Sequence, residues 1–102
     1  MKKIVIIDYG CGNILNLARA IKYLGYKPEV TNDKKKIISS SHVIFPGVGA
    51  FGNAIKKIKD YNLQNIISEY VALNKPFLGI CLGMQLLLTE SEEFGIHKGL
   101  NI

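Results

Sequence analysis

Four short runs that read as strands, Lys3–Ile7, the weak Lys27–Val30, His42–Phe45 and Phe77–Ile80, alternate with stretches whose apolar residues recur at helical spacing. That alternation limits the chain more than any other feature. Lys3–Ile7 is a β-branched run bounded by Asp8-Tyr9-Gly10, and it reads as a strand buried on both faces. Ile14, Leu17, Ala18, Ile21 and Leu24 then form one helical stripe, which Gly25 closes as a C-cap. Asp33 is placed to cap a short basic helix through Ser39. Pro46-Gly47 stops the third run. Ala54, Ile55 and Ile58 predict a helix after Gly52, and Leu63, Ile66, Ile67, Tyr70 and Val71 predict another, ending near Asn74. The fourth run is followed by a helical pattern from Leu82 to Thr89. Ser91-Glu92-Glu93 breaks that pattern, and Gly95–Ile102 reads as loop with the start of a strand.

Strands that alternate with helices pair in parallel, so the expected fold class is α/β: a three-layer, mostly parallel sheet flanked by helices. Ligands in such sheets bind beyond the carboxyl ends of the strands. The glycine-bearing turns Asp8–Asn13, Pro46–Gly52 and Gly79–Gly83 are therefore expected to converge on one edge.

The chain has 102 residues, enough for one small domain. Its net charge is +5, but the lysines cluster only at Lys34–Lys36 and at Lys56, Lys57 and Lys59. No aromatic residues interleave with them as a stacking platform needs, so they read as solvated faces and no nucleic-acid partner is expected. No segment approaches membrane-spanning length, and the apolar run Ile4–Ile7 is too short for a signal sequence, so no membrane partner is expected either. Cys11 and Cys81 lie far apart, with no CxxC and no metal-ligand spacing. The expectation is free thiols in the reducing cytoplasm, with no metal and no cofactor.

Gly79-Ile80-Cys81-Leu82-Gly83 is the most specific of the three turns. A cysteine between two glycines, with a strand before and a helix after, has the context of a nucleophile elbow. The glycines would be there because larger side chains crowd the turn. A cysteine at a helix start is in a setting that favours thiolate, and the Leu82 N–H would point to where an oxyanion forms. The bland alternative is a buried cysteine at an ordinary turn.

Gly47-Val48-Gly49-Ala50-Phe51-Gly52 spells G-x-G-x-x-G, so a nucleotide-binding turn is a rival reading. No acidic residue ends the next strand, where a ribose ligand belongs, and Pro46 interrupts the join. The same loop can instead offer a second oxyanion donor from the Val48 or Gly49 N–H. In the first turn, Asn13 reads as an N-cap for the following helix. Asn16 shares its polar side, so the pair can also face a ligand or partner.

Pro46–Gly52, followed some thirty residues later by Pro76-Phe77-Leu78-Gly79-Ile80-Cys81-Leu82-Gly83-Met84-Gln85, resembles the class I (triad-type) glutamine amidotransferases. The opening Ile6–Leu17 is similar to the branch that forms the glutaminase subunit of imidazole glycerol phosphate synthase, in histidine biosynthesis. The resemblance covers essentially the whole chain and implies a class I amidotransferase, flavodoxin-like fold. It implies that Cys81 attacks the glutamine side-chain amide. It places the oxyanion hole at Gly47, Val48, Gly49 and Leu82, and substrate binding at Gln85 and Gly49. Asn13 and Asn16 would lie at the interface with a (β/α)8-barrel synthase (cyclase) subunit that receives ammonia.

The sequence departs from the family in one large respect. Family members are about twice as long, and their later H-x-E motif is absent here. His42 begins a strand at the far end of the sheet and His97 has no acid two residues on, so neither is expected to be the base. The expectation is thus a truncated fold that carries the nucleophile but is inactive alone, with a catalytically dead partner-binding module as the alternative. Cys11 is expected to have no catalytic role. With Val43–Phe45 and Phe77–Ile80 read as central strands, a truncated sheet would expose an edge, so self-association through that edge is also expected.

Overall fold

The computed structural model describes residues 2–93 and 95–102. The strands are β1 (Ile4–Ile7), β2 (Pro28–Thr31), β3 (His42–Phe45) and β4 (Phe77–Gly79). They form one parallel sheet in the order β2-β1-β3-β4. Between them run α1 (Ile14–Tyr23), α2 (Lys34–Ser39), α3 (Phe51–Asp60) and α4 (Gln64–Ala72). After β4 come α5 (Leu82–Leu86) and a small antiparallel pair, β5 (Glu90–Ser91) with β6 (His97–Lys98). The helices flank both faces, so the fold is the expected α/β flavodoxin-like one. The strand order reverses direction between β1 and β3, the position at which such sheets open a crevice.

β1 lies inside the sheet because both of its faces are apolar. Val5 and Ile7 join Val43 and Phe45 on one face, under Ile37, Ala54, Ile58, Ile67 and Leu86. Ile6 points to the other face and packs with Ala18 and Ile21 of α1. A fully buried isoleucine contributes about 2–3 kcal/mol, and Ile6 and Ile7 are both completely buried. In α3, Phe51, Ala54, Ile55 and Ile58 form the buried stripe, which leaves Lys56, Lys57 and Lys59 exposed.

The helix boundaries follow local chemistry. The Asp33 side chain accepts a 2.9 Å hydrogen bond from the Lys35 N–H and so caps α2. Gly25 lies at φ +95°, and the Gly25 and Tyr26 N–H groups reach back to the Lys22 and Ile21 carbonyls. That is a Schellman closure of α1. Lys36 pairs with Glu29 at 2.8 Å across an exposed surface. The nearby carboxylate raises the Lys36 pKa, chiefly through that hydrogen bond.

The bounds of β1, β2 and β4 shift by one residue from the sequence reading, and two helices differ more. α3 begins at Phe51, so Gly52 lies inside the helix and not before it. α5 ends at Leu86 rather than Thr89. The carbonyls of Leu86, Leu87, Leu88 and Thr89 accept from the N–H groups of Leu100, Ile102, Asn101 and Gly99, so the final segment takes the place of further helical turns. β4 lies at one end of the four-stranded order. Leu78 is 55% exposed beside a 360 Å³ depression on the part of the α1-side face near β3 and β4. Among the described residues, no helix is long and apolar enough to cross a membrane.

Candidate active site

Parallel pairing brings the three glycine-bearing turns together at the carboxyl edge of the sheet. The Ile80 N–H donates to the Phe45 carbonyl at 3.0 Å, and the Leu82 N–H donates to the Gly47 carbonyl at 3.2 Å. The Tyr9 hydroxyl donates to the Pro46 carbonyl at 2.6 Å. The ends of β1, β3 and β4 are thus tied to one another by backbone carbonyls.

Cys81 stands at the junction of β4 and α5 with φ +53° and ψ −120°. For a residue with a side chain this is a sparsely populated conformation, costing on the order of 1–3 kcal/mol. It persists because the surroundings fix it. An added Cβ on Gly83 would overlap the Phe45 carbonyl oxygen, and one on Gly79 would come within 2.8 Å of Met84 Cα. The two glycines are needed for close packing, as the sequence suggested, and the strain falls on the cysteine between them. Cys81 is exposed, so the buried-cysteine alternative does not hold.

Gly47 is buried against the same turn. A Cβ there would meet Tyr9 Oη at 2.5 Å and the Gly83 nitrogen at 2.8 Å. Beyond it the chain opens: Val48 is 58% exposed, and Gly49 adopts φ +111° with nothing near it. A 440 Å³ cavity lies beside this loop, lined by Gly10, Cys11, Val48, Gly49, Lys56 and Lys57 among others. Lys57 Nζ donates to the Gly10 carbonyl at 3.3 Å. Cys81 does not line this cavity.

The other expected site residues fall as follows. Gln85 is exposed on α5, and its N–H donates to the Cys81 carbonyl at 3.2 Å. The Leu82 N–H is engaged by the Gly47 carbonyl rather than open to a ligand. Asn13 occupies the N-cap position of α1, but its side chain makes no capping hydrogen bond, contrary to the capping role read from sequence. Asn13 and Asn16 are both exposed. His42 sits at the start of β3, with Nδ1 3.0 Å from Ser41 Oγ, at the opposite end of the strand from the site. His97 lies in β6 with its ring against Gly52.

Sequence reasoning missed Tyr9. Its ring is fully buried, with its centroid 5.2 Å from that of Phe45, and its hydroxyl holds the glycine loop. Burial, reinforced by the nearby Cys11, pushes its pKa well above the usual tyrosine range, so it remains a donor. No local signal marked it, because its partner Pro46 lies 37 positions away.

Comparison with known proteins gives the family. The family Glutamine amidotransferase class-I matches residues 5–98. The chain belongs to the class I glutamine amidotransferases. Among its relatives is "Imidazole glycerol phosphate synthase subunit HisH" of Carboxydothermus hydrogenoformans, 47% identical over 98 residues, which are 96% of this chain and 49% of that one. The protein of the same name from Bacillus mycoides is 48% identical over 97% of this chain and 47% of its own length. That of Aquifex aeolicus is 43% identical over 96% of this chain and 48% of its own. This amidotransferase chain therefore spans about half the length of these relatives. Among its described residues, no three His, Cys, Asp or Glu side chains gather to hold a metal ion.

Proposed function

We propose that the chain carries the nucleophile and amide-binding part of a glutaminase that supplies ammonia to an imidazole glycerol phosphate synthase partner. The observation that carries this is the backbone of Cys81, held at φ +53° between two glycines that admit no side chain. In this role the Cys81 sulfur attacks the side-chain amide carbon of glutamine. The carbon–nitrogen bond breaks, ammonia leaves, and water hydrolyses the resulting glutamyl thioester to glutamate and free thiol. Gly47, Val48, Gly49 and Leu82 would cradle the oxyanion, and Gln85 with Gly49 would hold the amino-acid end.

Two physical consequences follow. Leu82 must exchange the Gly47 carbonyl for the substrate oxygen, so the glycine loop has to shift on binding. No base is assigned to His42, which lies at the far end of β3. Acid–base help is worth about 10²–10⁴-fold, so turnover by these 102 residues alone is expected to be negligible.

The chloroketone analogue of glutamine tests the site. It should label Cys81 and not Cys11, as mapped on peptides, and free glutamine should protect. Equal labelling of both thiols, or none, would sink the assignment.

Docking to the barrel subunit is supported by exposed side chains at the same sheet edge. Asn13 is not used in capping, and Leu15 is 63% exposed. Self-association would use the β4 edge and exposed Leu78; a monomer at micromolar concentration in sedimentation would remove it. The nucleotide reading has less support, because Gly47 is buried and the His97 ring lies over Gly52.

A further inference from the structure

We propose that Tyr9 is a positioning residue for the oxyanion loop, acting through the Pro46 carbonyl; this rests on the glutaminase assignment of Cys81. Two consecutive carbonyls anchor the loop. The Pro46 carbonyl accepts from Tyr9 Oη at 2.6 Å, and the Gly47 carbonyl accepts from the Leu82 N–H at 3.2 Å. If Leu82 turns its N–H to a substrate oxygen, the second anchor is released. The Tyr9 bond is then what keeps Pro46-Gly47 in place while Val48-Gly49 reaches the substrate. Tyr9 can do this because it is fully buried and its ring is fixed against Phe45. A buried donor with no competing water holds one geometry. The phenol oxygen also lies 2.5 Å from where a Cβ of Gly47 would be, so tyrosine and glycine fit each other.

The test compares two reagents at Cys81 in the full chain, read by peptide mass mapping. The chloroketone analogue of glutamine places its carbonyl oxygen against the oxyanion donors while sulfur displaces chloride, forming C–S and breaking C–Cl. Methyl methanethiolsulfonate has no carbonyl; sulfur attacks its thiomethyl sulfur and expels methanesulfinate. Tyr9→Phe keeps the ring and removes the hydroxyl. The expected result is chloroketone labelling slowed about tenfold, as the oxyanion donors lose alignment worth about 1.4 kcal/mol, with thiolsulfonate labelling unchanged.

Unchanged rates with both reagents would overturn the positioning role. So would a parallel fall in both, which would mean that the Cys81 turn itself had loosened. A parent chain that takes the thiolsulfonate but not the chloroketone would instead refute the glutaminase assignment, and the role of Tyr9 with it. Should Tyr9→Phe fail to fold, 3-fluorotyrosine at position 9 keeps the hydroxyl and alters its donor strength. A changed chloroketone rate with a constant thiolsulfonate rate supports the role, and no change in either removes it.

Discussion

Cys11 and Cys81 each follow a strand of the same parallel sheet, and each stands close to two glycines, yet the backbone assigns the burdens in opposite ways. Around Cys11 the glycines take the unusual conformations, Gly10 at φ +85° and Gly12 at φ +141°, and the cysteine itself has no positive φ. Around Cys81 the glycines lie outside the left-handed region but have no room for a side chain, and the cysteine takes φ +53°. In the first turn glycine provides conformational freedom, so the chain can bend there without strain. In the second it provides closeness, and the strain moves to the residue that would do chemistry. Glycine–cysteine–glycine patterns that look alike in a sequence can therefore mean a flexible turn or a loaded one.

Alanine at the flanking glycines should separate these uses most sharply. Gly83→Ala drives a methyl into the Phe45 carbonyl, which is backbone and cannot step aside. The expected cost is about 3 kcal/mol, the upper end for overpacking, against a total stability of roughly 5–15 kcal/mol for a domain. Gly10→Ala meets only the flexible end of Lys57 at 3.3 Å and loses mainly the freedom of its positive φ. That should cost about 1–2 kcal/mol. Urea midpoints measure both. The comparison fails if Gly83→Ala is no more costly than Gly10→Ala.

Substituting the cysteines themselves should reverse the sign of a glycine–alanine difference. At position 81 glycine relieves strain that alanine keeps, so Cys81→Gly should be more stable than Cys81→Ala by about 1 kcal/mol. At position 11 there is no positive φ to relieve. Cys11→Gly should then be less stable than Cys11→Ala by about 0.5–1 kcal/mol, because glycine loses more freedom on folding. The same ordering at both positions would show that Cys81 is not strained.

Much of the sheet was legible because its strands are short, β-branched and bounded by turn residues. The Asp33 cap and the Gly25 closure are contained within a few neighbouring residues, so local chemistry was enough. What failed was decided by partners distant in sequence. The helical pattern of Leu87–Thr89 is overridden because the Gly99–Ile102 amides occupy the carbonyls of Leu86–Thr89. Asn13 has the right residue type for a cap but not the hydrogen bond. At the candidate site, the elbow around Cys81 was visible in five residues. The clamp from Tyr9 to Pro46 was not, since it spans 37 positions and nothing local announces it.

That clamp joins the relaxed turn to the Pro46–Gly52 loop, which the Leu82 N–H joins to the strained one, and its pH dependence shows only in alkali. Burial holds the Tyr9 hydroxyl pKa well above its ordinary value, with the nearby Cys11 adding to the shift. Burial also raises that of Tyr70, against a smaller opposing effect from the hydrogen bond to Ser40. In the unfolded chain a tyrosine ionises near about pH 10. Below that pH both states hold the proton and the stabilisation is fully present. Above it the unfolded chain releases protons that the folded one keeps, so stability falls, by up to about 1.4 kcal/mol per pH unit for Tyr9. Tyr9→Phe should be less stable than the parent at neutral pH by about 1–3 kcal/mol, because the buried Pro46 carbonyl loses its donor. It has no proton to lose at position 9, so the gap should shrink as pH rises past about 10. Urea midpoints from pH 7 to 11 would show the two curves approaching each other. A gap that stays constant across that range would mean that the hydroxyl is not held as a buried donor, and the link between the turns would then rest on ring packing alone.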